Sequence, residues 1–255
     1  MGRSYKSVWI SSMPRAGSMW AFNITRELLR ADGALVVPEE PPQNDPDMIL
    51  FGNHIETFGS PQHVAVLKTH TPLDEVPAFR RAIVPQRDLR DALVSIMRFT
   101  RIDFVSAVNM TAAAAQLTLS NQAFGAERAL PIEYTDIAVQ PAAVIVRIAD
   151  FLELEIADAT VDKLVDSYSK EKIKKRMSTV EKRTEKRIKR GKAGRNEVVT
   201  LDDGSYRIYD TKTGFQSGHI SDYEDGGWRE LFDSEQQTLI ERELNPWLEK
   251  LGYPI

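Results

Sequence analysis

The amino end of the chain places a turn of small residues between a buried strand and a helix. Residues 6–12 form a short apolar run with two β-branched side chains, which is typical of a buried strand. Residues 13–20 contain one proline, one glycine and one arginine, and residues 21–29 carry an apolar stripe at helical spacing. This order directs backbone N–H groups and the positive end of a helix dipole at one point. The segment therefore predicts a phosphate-binding turn.

The turn differs from the Walker A loop. That loop needs two glycines and then a Lys-Ser or Lys-Thr pair, which hold the phosphates and Mg²⁺. Here Gly17 is the only glycine of the turn, and Ser18 and Met19 follow it. The sequence therefore predicts a phosphate site of another kind.

Strands alternate with helices along most of the chain, which favours an α/β fold with a central parallel sheet in one domain, residues 1–255. Further strands are predicted at residues 64–68, 81–86 and 131–134. Helices are predicted at residues 88–99, 104–124, 141–152 and 157–177, with a last helix that follows residues 233–235 and ends at Gly252. Residues 37–46 predict a polar, Pro-rich loop that does not pack. Residues 197–209 predict a β-hairpin with Asp203 and Gly204 at its turn.

Positive charge is concentrated in one segment. Residues 170–195 hold thirteen Lys or Arg and three Glu, whereas the whole chain has a net charge of −4. The rest of the chain therefore carries −14 and would not attract polyanions. We interpret the segment as a solvated helix face or, together with the hairpin up to residue 212, as an insertion or lid. Electrostatic steering of a negatively charged cofactor is the functional alternative.

The composition excludes several classes of protein. The chain has no cysteine, which rules out disulfides and thiol catalysis, and its four histidines are scattered rather than spaced as zinc ligands. The sequence has no run of about 18 apolar residues, which a membrane span requires. Its first residues lack the apolar region of a signal peptide. We therefore expect a cytoplasmic protein without a metal site or a membrane partner.

Residues 14–20 (PRAGSMW) resemble the P-K-S-G-T-T-W loop of sulfotransferases that use 3′-phosphoadenosine 5′-phosphosulfate (PAPS). In that family the loop cradles the 5′-phosphosulfate, and its tryptophan stacks on the adenine. The resemblance implies that the cofactor-binding residues include Arg15, Ala16, Gly17, Ser18, Met19 and Trp20. Arg15 stands where the family has lysine, and its planar guanidinium group keeps the positive charge. Met19 lacks the hydroxyl group of the family's threonine.

Residues 66–72 (VLKTHTP) resemble the L-K-T-H-L-P segment of the same family, in which the histidine is the general base. The resemblance assigns that role to His70 and places Lys68 next to the transferring sulfuryl group. Lys68 and His70 are two residues apart, so an extended backbone projects both side chains to one face. A base and a charge-stabilising cation around one reaction centre need this arrangement.

Residues 87–95 (RDLRDALVS) resemble the family's R-D-P-R-D-x-x-x-S segment, in which the first arginine and the serine grip the 3′-phosphate of the cofactor. The resemblance assigns these contacts to Arg87 and Ser95. Residues 132–136 resemble a short strand whose tyrosine lies near the adenine, which implies a cofactor contact for Tyr134.

Residues 218–228 stand where the family usually has R-K-G-x-x-G-D-W. Gly227 and Trp228 match this motif, but the Arg-Lys pair is missing. Either hydrogen bonds or charge from elsewhere would have to replace the pair at the 3′-phosphate. The candidates for hydrogen bonding are Ser217, Gly218 and His219, and the candidates for charge are Arg195, Arg207 and Lys212.

The resemblance implies a P-loop NTPase-like sulfotransferase fold with a carboxyl-terminal hairpin insertion. It also implies transfer of a sulfuryl group from PAPS to a hydroxyl group or an amine, with 3′-phosphoadenosine 5′-phosphate (PAP) as the product and no required metal. His70 would take the proton of the acceptor, while Lys68, Arg15 and the loop N–H groups stabilise the leaving phosphate. The expected acceptor is a small molecule or a carbohydrate, and a homodimer is compatible with the sequence.

Two other functions are left open. A small-molecule kinase of related topology would use ATP and Mg²⁺, for which the sequence offers no obvious site. A non-catalytic nucleic-acid-binding protein would use residues 170–195, but that run lacks interleaved aromatic residues and the rest of the chain is acidic. We therefore expect no nucleic-acid partner.

Overall fold

A five-stranded parallel sheet forms the centre of the molecule. The computed structural model describes residues 5–58, 60, 62–201, 203–220, 223 and 225–255. The strands lie in the order β2 (Leu35–Val37), β3 (His63–Thr69), β1 (Ser7–Ser11), β4 (Arg81–Gln86) and β5 (Ala129–Glu133). Every neighbouring pair in this sheet is parallel, and parallel neighbours need long crossover connections. The predicted α/β fold with a central parallel sheet is confirmed.

Strand β1 lies in the middle of the sheet and aligns its neighbours. All five of its residues are buried, as expected for an apolar strand that is paired on both sides. Ile10 pairs with Lys68 on β3 and with Ile83 on β4. Ser11 pairs with Thr69, so the turn after β1 starts beside the residue that follows β3. The segments that leave β1 and β3 therefore meet at the carboxyl edge of the sheet, where ligands bind in open α/β folds.

Helices pack around the sheet in two groups. Helix α1 (Ser18–Ala31) packs on β1, β3 and β4, and also on α6 (Pro141–Phe151) and α7 (Asp158–Ser167). Helices α3 (Leu89–Thr100), α4 (Phe104–Gln122) and α9 (Ser234–Leu251) pack on one another and enclose a second apolar core. The described part of the chain also contains α2 (Asp45–Gly52), α5 (Tyr134–Val139), α8 (Lys170–Ile188) and 3₁₀ turns at Ile55–Thr57, Arg195–Glu197 and Gly227–Glu230. None of the helices in these described residues is long and apolar enough to cross a membrane.

The helix predicted over residues 157–177 is two helices. Helix α7 ends at Ser167, and α8 begins at Lys170. Ser169 is the N-cap of α8, and its Oγ accepts a hydrogen bond from the backbone N–H of Lys172 at 3.3 Å. A serine that satisfies a free N–H group favours the start of a helix. The apolar periodicity of the sequence therefore continues across the boundary between two separate helices.

The Pro-rich segment 37–46 packs against the rest of the protein, and the prediction of an unpacked loop is wrong. Its first residue ends β2, its residue Pro41 is buried, and Asp45 begins α2. The hydroxyl oxygen of Tyr209 lies 2.9 Å and 3.0 Å from the carbonyl oxygens of Pro41 and Pro42. Buried carbonyl groups require hydrogen-bond partners, and the Tyr209 hydroxyl, which is distant in sequence, holds the segment in place by serving these two.

A separate antiparallel hairpin follows α8, as predicted. Strand β6 (Val198–Thr200) pairs with β7 (Tyr206–Ile208). Two ion pairs connect α8 to this region, between Arg176 and Asp210 at 2.5 Å and between Arg187 and Glu197 at 2.9 Å. The basic helix is thereby attached to the hairpin. That residues 170–212 act as a lid stays a prediction.

Candidate functional site

The turn after β1 ends at an open helix N-terminus. Gly17 is the N-cap of α1 at a φ of 88°, and no side chain in the described part of the chain caps the helix. A Cβ atom on Gly17 would lie 2.9 Å from Cδ1 of Ile137 and 3.2 Å from Cδ2 of Tyr134. Both the backbone angle and the close approach of α5 therefore require glycine. The first amide groups of this 14-residue helix can bind an anion.

Arg15 connects this turn to α3 and to the carboxyl-terminal segment. Its Nε donates to Ser95 Oγ at 3.0 Å, and an Nη group donates to the carbonyl oxygen of His219 at 2.8 Å. The guanidinium also lies 4.3 Å from the ring centroid of Phe99. Burial and the charge of Arg87 lower the pKa of Arg15 to about 10, so it stays positively charged at neutral pH. Two residues predicted to bind different ends of the cofactor are therefore in direct contact.

Lys68 and His70 face the same side of the sheet edge, as the strand alternation predicts. The Nζ atom of Lys68 lies 3.0 Å from Nε2 of His70. The other ring nitrogen of His70, Nδ1, lies 2.7 Å from the carbonyl oxygen of Ser12 in the turn after β1. The pairing of β1 with β3 thus joins the predicted phosphate-binding turn to the predicted base.

The partners of His70 determine its tautomer. A carbonyl oxygen can only accept, so Nδ1 carries the proton and Nε2 presents its lone pair to the Lys68 ammonium. Burial first, and then the charge of Lys68, lower the pKa of His70 to about 4. His70 is therefore a neutral hydrogen-bond acceptor at neutral pH.

Arg87 directly follows β4 and is nearly buried, with 5% of its side chain exposed. Its guanidinium lies 4.2 Å from the ring centroid of Tyr134, and one Nη group donates to the carbonyl oxygen of Arg15 at 3.1 Å. A second Nη group forms an ion pair with Asp225. Its Nε has no hydrogen-bond partner among the described residues. The described residues therefore do not use the full hydrogen-bonding capacity of this cation.

The carboxyl-terminal segment is attached to α3 through Asp91. The Asp91 carboxylate accepts hydrogen bonds from the Tyr223 hydroxyl at 2.6 Å and from the Gly226 N–H at 2.9 Å. Trp228 is buried, and the guanidinium of Arg90 lies 5.4 Å from its ring centroid. Ser221, Asp222 and Glu224, which belong to the predicted phosphate loop, lie outside the described residues.

The three predicted residues just before this segment have different environments. Ser217 pairs with Ile208 of β7, where its N–H donates at 3.0 Å and its Oγ accepts at 3.2 Å. Gly218 lies at a turn with a φ of 80°. Nδ1 of His219 accepts from the N–H of Gln216 at 3.1 Å, so the neutral ring carries its proton on Nε2. Burial and the charge of Arg15 hold the pKa of His219 well below its usual value.

Asp45 is a site residue that the sequence reasoning missed. Its carboxylate accepts from the backbone N–H of His70 at 2.5 Å and lies 3.8 Å from the ammonium of Lys68. Asn44 caps α2 by accepting from the N–H of Asp47 at 2.9 Å. The sequence Asn-Asp-Pro-Asp is a helix-start signal, so the helix could have been found. Its position beside Lys68 could not.

These groups surround one cavity of about 560 Å³. The predicted residues on its wall are Arg15, Gly17, Ser18, Met19, Trp20, Lys68, His70, Arg87, Ser95, Tyr134 and His219. Ala16, Ser217 and Gly218 do not line it, and Ala16 is buried in the second apolar core instead. The alternative cations Arg195, Arg207 and Lys212 also lie outside the wall. Arg207 instead stacks at 3.8 Å on the ring of Phe99, which is a wall residue.

The cavity combines cations with apolar surface. Aromatic and aliphatic side chains form much of the remaining wall, among them Met48, Tyr168, Ile173, Tyr209 and Phe215. The described residues contain no group of three or more His, Asp or Glu that could hold a metal ion. The arrangement can bind an anion at a helix end, stabilise developing negative charge and accept a proton at His70.

The chain matches a family model described as the sulfotransferase domain over residues 5–200. It matches none of the curated proteins. The family match covers the turn after β1, the end of β3 and the start of α3, where the candidate site is built.

Solved structures share the fold. Retinol dehydratase in complex with androsterone and the inactive cofactor PAP superposes with a TM-score of 0.62 at 18% identity, covering 95% of this chain and 80% of that chain. Its complex with retinol and PAP gives a TM-score of 0.59 at 16% identity, covering 95% and 81%. Mouse sulfotransferase SULT7A1 complexed with PAP gives 0.65 at 14% identity, covering 96% and 84%. These likenesses show the fold, and the family model covers most of the length of this sequence. This chain belongs to the sulfotransferase domain family.

Proposed function

We propose that this chain transfers a sulfuryl group from PAPS to a hydroxyl group, or to an amine, of an acceptor. The observation that carries the proposal is the 3.0 Å contact of Lys68 Nζ with His70 Nε2, on the cavity that Gly17 and Ser18 also line. A base beside a cation and an anion-binding helix end are groups that this transfer needs. Retinol dehydratase and mouse SULT7A1 were crystallised with PAP, the product that PAPS would leave.

His70 acts as the general base. Ser12 holds the Nδ1 proton, so Nε2 can take the proton of the acceptor once Lys68 has turned toward the cofactor. As the proton passes to Nε2, the acceptor oxygen bonds to sulfur and the bond from sulfur to the bridging oxygen of PAPS breaks. The electron pair of that bond stays on the phosphate of PAP. A positioned base of this kind contributes about 10²–10⁴ in rate.

Lys68, Arg15 and the first amides of α1 stabilise the charge that develops on the leaving phosphate. Gly17 lets the turn pass close to α5 and leaves the helix end uncapped, which suits a bound phosphate. Donors that are already in place in a cavity lined partly by apolar side chains act more strongly than the same donors in water.

Arg87 and Ser95 hold the 3′-phosphate, with Tyr134 and Trp20 beside the adenine. The guanidinium of Arg87 lines the cavity and offers the phosphate a charge-assisted hydrogen bond in place of its ion pair with Asp225. Binding at this remote end of the cofactor aligns the sulfuryl group with the base. Among the candidates for replacing the missing Arg-Lys pair, His219 is the best placed, because it lines the cavity and carries its proton on Nε2.

The acceptor is a small molecule with an apolar body, in preference to a carbohydrate. The cavity wall near α7 and α8 is formed by Tyr168, Ile173 and Phe215, and burying apolar surface against such side chains favours binding. Retinol dehydratase was crystallised with androsterone and with retinol. Both observations support an apolar alcohol or phenol.

Transfer of radioactive sulfate from labelled PAPS to a panel of phenols, sterols and sugars tests the activity. We expect labelled product with an apolar phenol or alcohol and none without protein. Transfer from labelled ATP, with no transfer from PAPS to any acceptor, would favour a small-molecule kinase instead.

Thermal unfolding tests the cofactor separately. PAP should raise the melting temperature more than AMP or ATP does, because Arg87 and Ser95 would contact the 3′-phosphate. A ligand at 100 times its Kd stabilises the folded state by about 2.7 kcal/mol, which gives a measurable shift. Equal shifts with PAP and AMP would contradict a 3′-phosphate site.

A further inference from the structure

Asp45 contacts three consecutive residues at the end of β3. Its Oδ2 accepts from the N–H of His70 at 2.5 Å and from the hydroxyl of Thr69 at 3.4 Å. Its Oδ1 lies 3.8 Å from the ammonium of Lys68. The carboxylate therefore touches both the cation and the backbone of the predicted base.

The carboxylate is held where it is by the start of α2. Asn44 caps this helix, and Asp45 occupies its first position. The hydroxyl of Thr69 also accepts from the N–H of Thr71 at 3.0 Å, which continues the hydrogen-bonded network past His70. Asn44 and Asp45 both line the cavity. The hydrogen bonds of Asp45 with Thr69 and His70 thus connect the packed Pro-rich segment to the predicted reaction centre.

Burial disfavours the charge of Lys68, and the groups that face it include one acid. His70 faces it from just after β3, while Arg15 faces the cavity from the turn after β1 and His219 from the segment after β7. Both histidines are neutral at neutral pH, and Arg15 is a second cation. Asp45 on α2 is the one acidic group among the described residues that forms an ion pair with Lys68. Burial lowers the pKa of Lys68, and Asp45 acts in the opposite direction.

We propose that Asp45 is a positioning residue, whose carboxylate keeps the Lys68 ammonium charged and holds it beside His70 for sulfuryl transfer. The inference rests on the proposed function for its catalytic consequence. An uncharged Lys68 cannot stabilise the bridging oxygen of the leaving phosphate. A buried lysine without a carboxylate beside it loses its proton more readily, so the transfer would then fail first at high pH.

Asp45→Asn separates charge from hydrogen bonding. Asparagine keeps an oxygen that can accept from the N–H of His70 and from the Thr69 hydroxyl, but it removes the negative charge. Asp47→Asn is the matched control, because Asp47 is exposed on the same helix and its carboxylate bonds only to Asn44 among the described residues. Asp45→Ser provides a second neutral variant if the asparagine variant does not fold.

The experiment measures how readily Lys68 is acetylated at a series of pH values, by competitive labelling and mass spectrometry of the protein without nucleotide. We expect the apparent pKa of Lys68 to fall by about one unit in Asp45→Asn, a tenfold loss of the charged form above that pKa. Asp47→Asn should match the parent. An unchanged Lys68 pKa in a folded, neutral Asp45 variant would overturn the proposal.

The pH profile of transfer provides the catalytic readout. With the acceptor found in the panel, the alkaline limb of kcat should move to lower pH in Asp45→Asn, and Asp45→Glu should restore it. A rate that falls equally at all pH values would indicate a structural role and contradict the inference. Absence of transfer by the parent would overturn the proposed function instead, whereas the labelling result decides on Asp45 without any cofactor.

Discussion

The carboxylate of Asp225 forms an ion pair with the guanidinium of Arg87, a side chain that is 5% exposed. A buried cation without a partner is costly, so Asp225 compensates the charge of Arg87 when no anion is bound. Under the proposed function a phosphate takes over as the partner of Arg87. Asp225 is then a competitor of the cofactor, in a segment where the family usually carries an Arg-Lys pair.

We expect Asp225→Asn to bind PAP more tightly, by up to about tenfold or about 1.4 kcal/mol, because the phosphate no longer competes with a carboxylate. The melting temperature of the free protein should fall, since Arg87 loses its partner. Calorimetric titration and thermal unfolding measure both effects. Asp162→Asn, the same charge change at an exposed position of α7, should alter neither. Weaker binding of PAP by Asp225→Asn would show that the carboxylate supports the cofactor instead.

His70→Ala should keep its affinity for PAP and lose at least about 10² in transfer rate, because the imidazole acts on the proton of the acceptor. Lys68→Ala should lower both, since the ammonium lies beside the leaving group. Binding by calorimetry and transfer of labelled sulfate distinguish the two variants. His54→Ala, at an exposed position that does not line the cavity, is the control. Parental transfer by His70→Ala would remove its assignment as the base.

The depressed pKa of His70 makes stability depend on pH. The pKa is about 4 in the folded protein, chiefly through burial and then through Lys68, whereas an unfolded histidine titrates at about 6.5. The unfolded chain therefore binds more protons between these values, and the free energy of unfolding should fall as the pH drops from about 6.5 to about 4. Above that window the contribution is fully present. The depressed pKa of His219 acts in the same direction.

Urea unfolding at several pH values measures this slope, and His70→Asn should make it shallower. Titration of the imidazole signals by NMR, assigned with the same variant, measures the pKa directly. A His70 signal that titrates near about 6.5 would contradict the structure's account of this residue.

Gly17→Ala should destabilise the protein more than Gly33→Ala does. Both glycines have a left-handed backbone, with φ values of 88° and 80°, which costs an alanine about 1–2 kcal/mol. Gly33 has open space around it, whereas a Cβ atom on Gly17 would lie 2.9 Å from Ile137 Cδ1. Urea unfolding of the two variants isolates the cost of that contact. Equal losses would mean that α5 moves aside.

Much of the fold follows from short-range patterns. The apolar run of β1, the cap of α3 at Asp88 and the end of α9 at Gly252 are local signals, and the structure places these elements where they were predicted. The alternation of strands with helices was enough to predict a parallel sheet. A local signal also gave a wrong prediction. The apolar periodicity continues from α7 into α8 and predicted one helix, whereas Ser169 starts a new helix.

That Lys68 and His70 share a face follows from their spacing in the sequence, since successive side chains of a strand point to opposite faces. The groups that surround them come from distant parts of the chain. Asp45 and Lys68 are 23 residues apart in the sequence, and Arg87 and Asp225 are 138 residues apart. Such contacts depend on strand order and on the packing of helices over the sheet edge, which no local periodicity encodes. The residues of the candidate site can therefore be recognised in the sequence, whereas the carboxylates that form ion pairs with its cations are brought there by the fold.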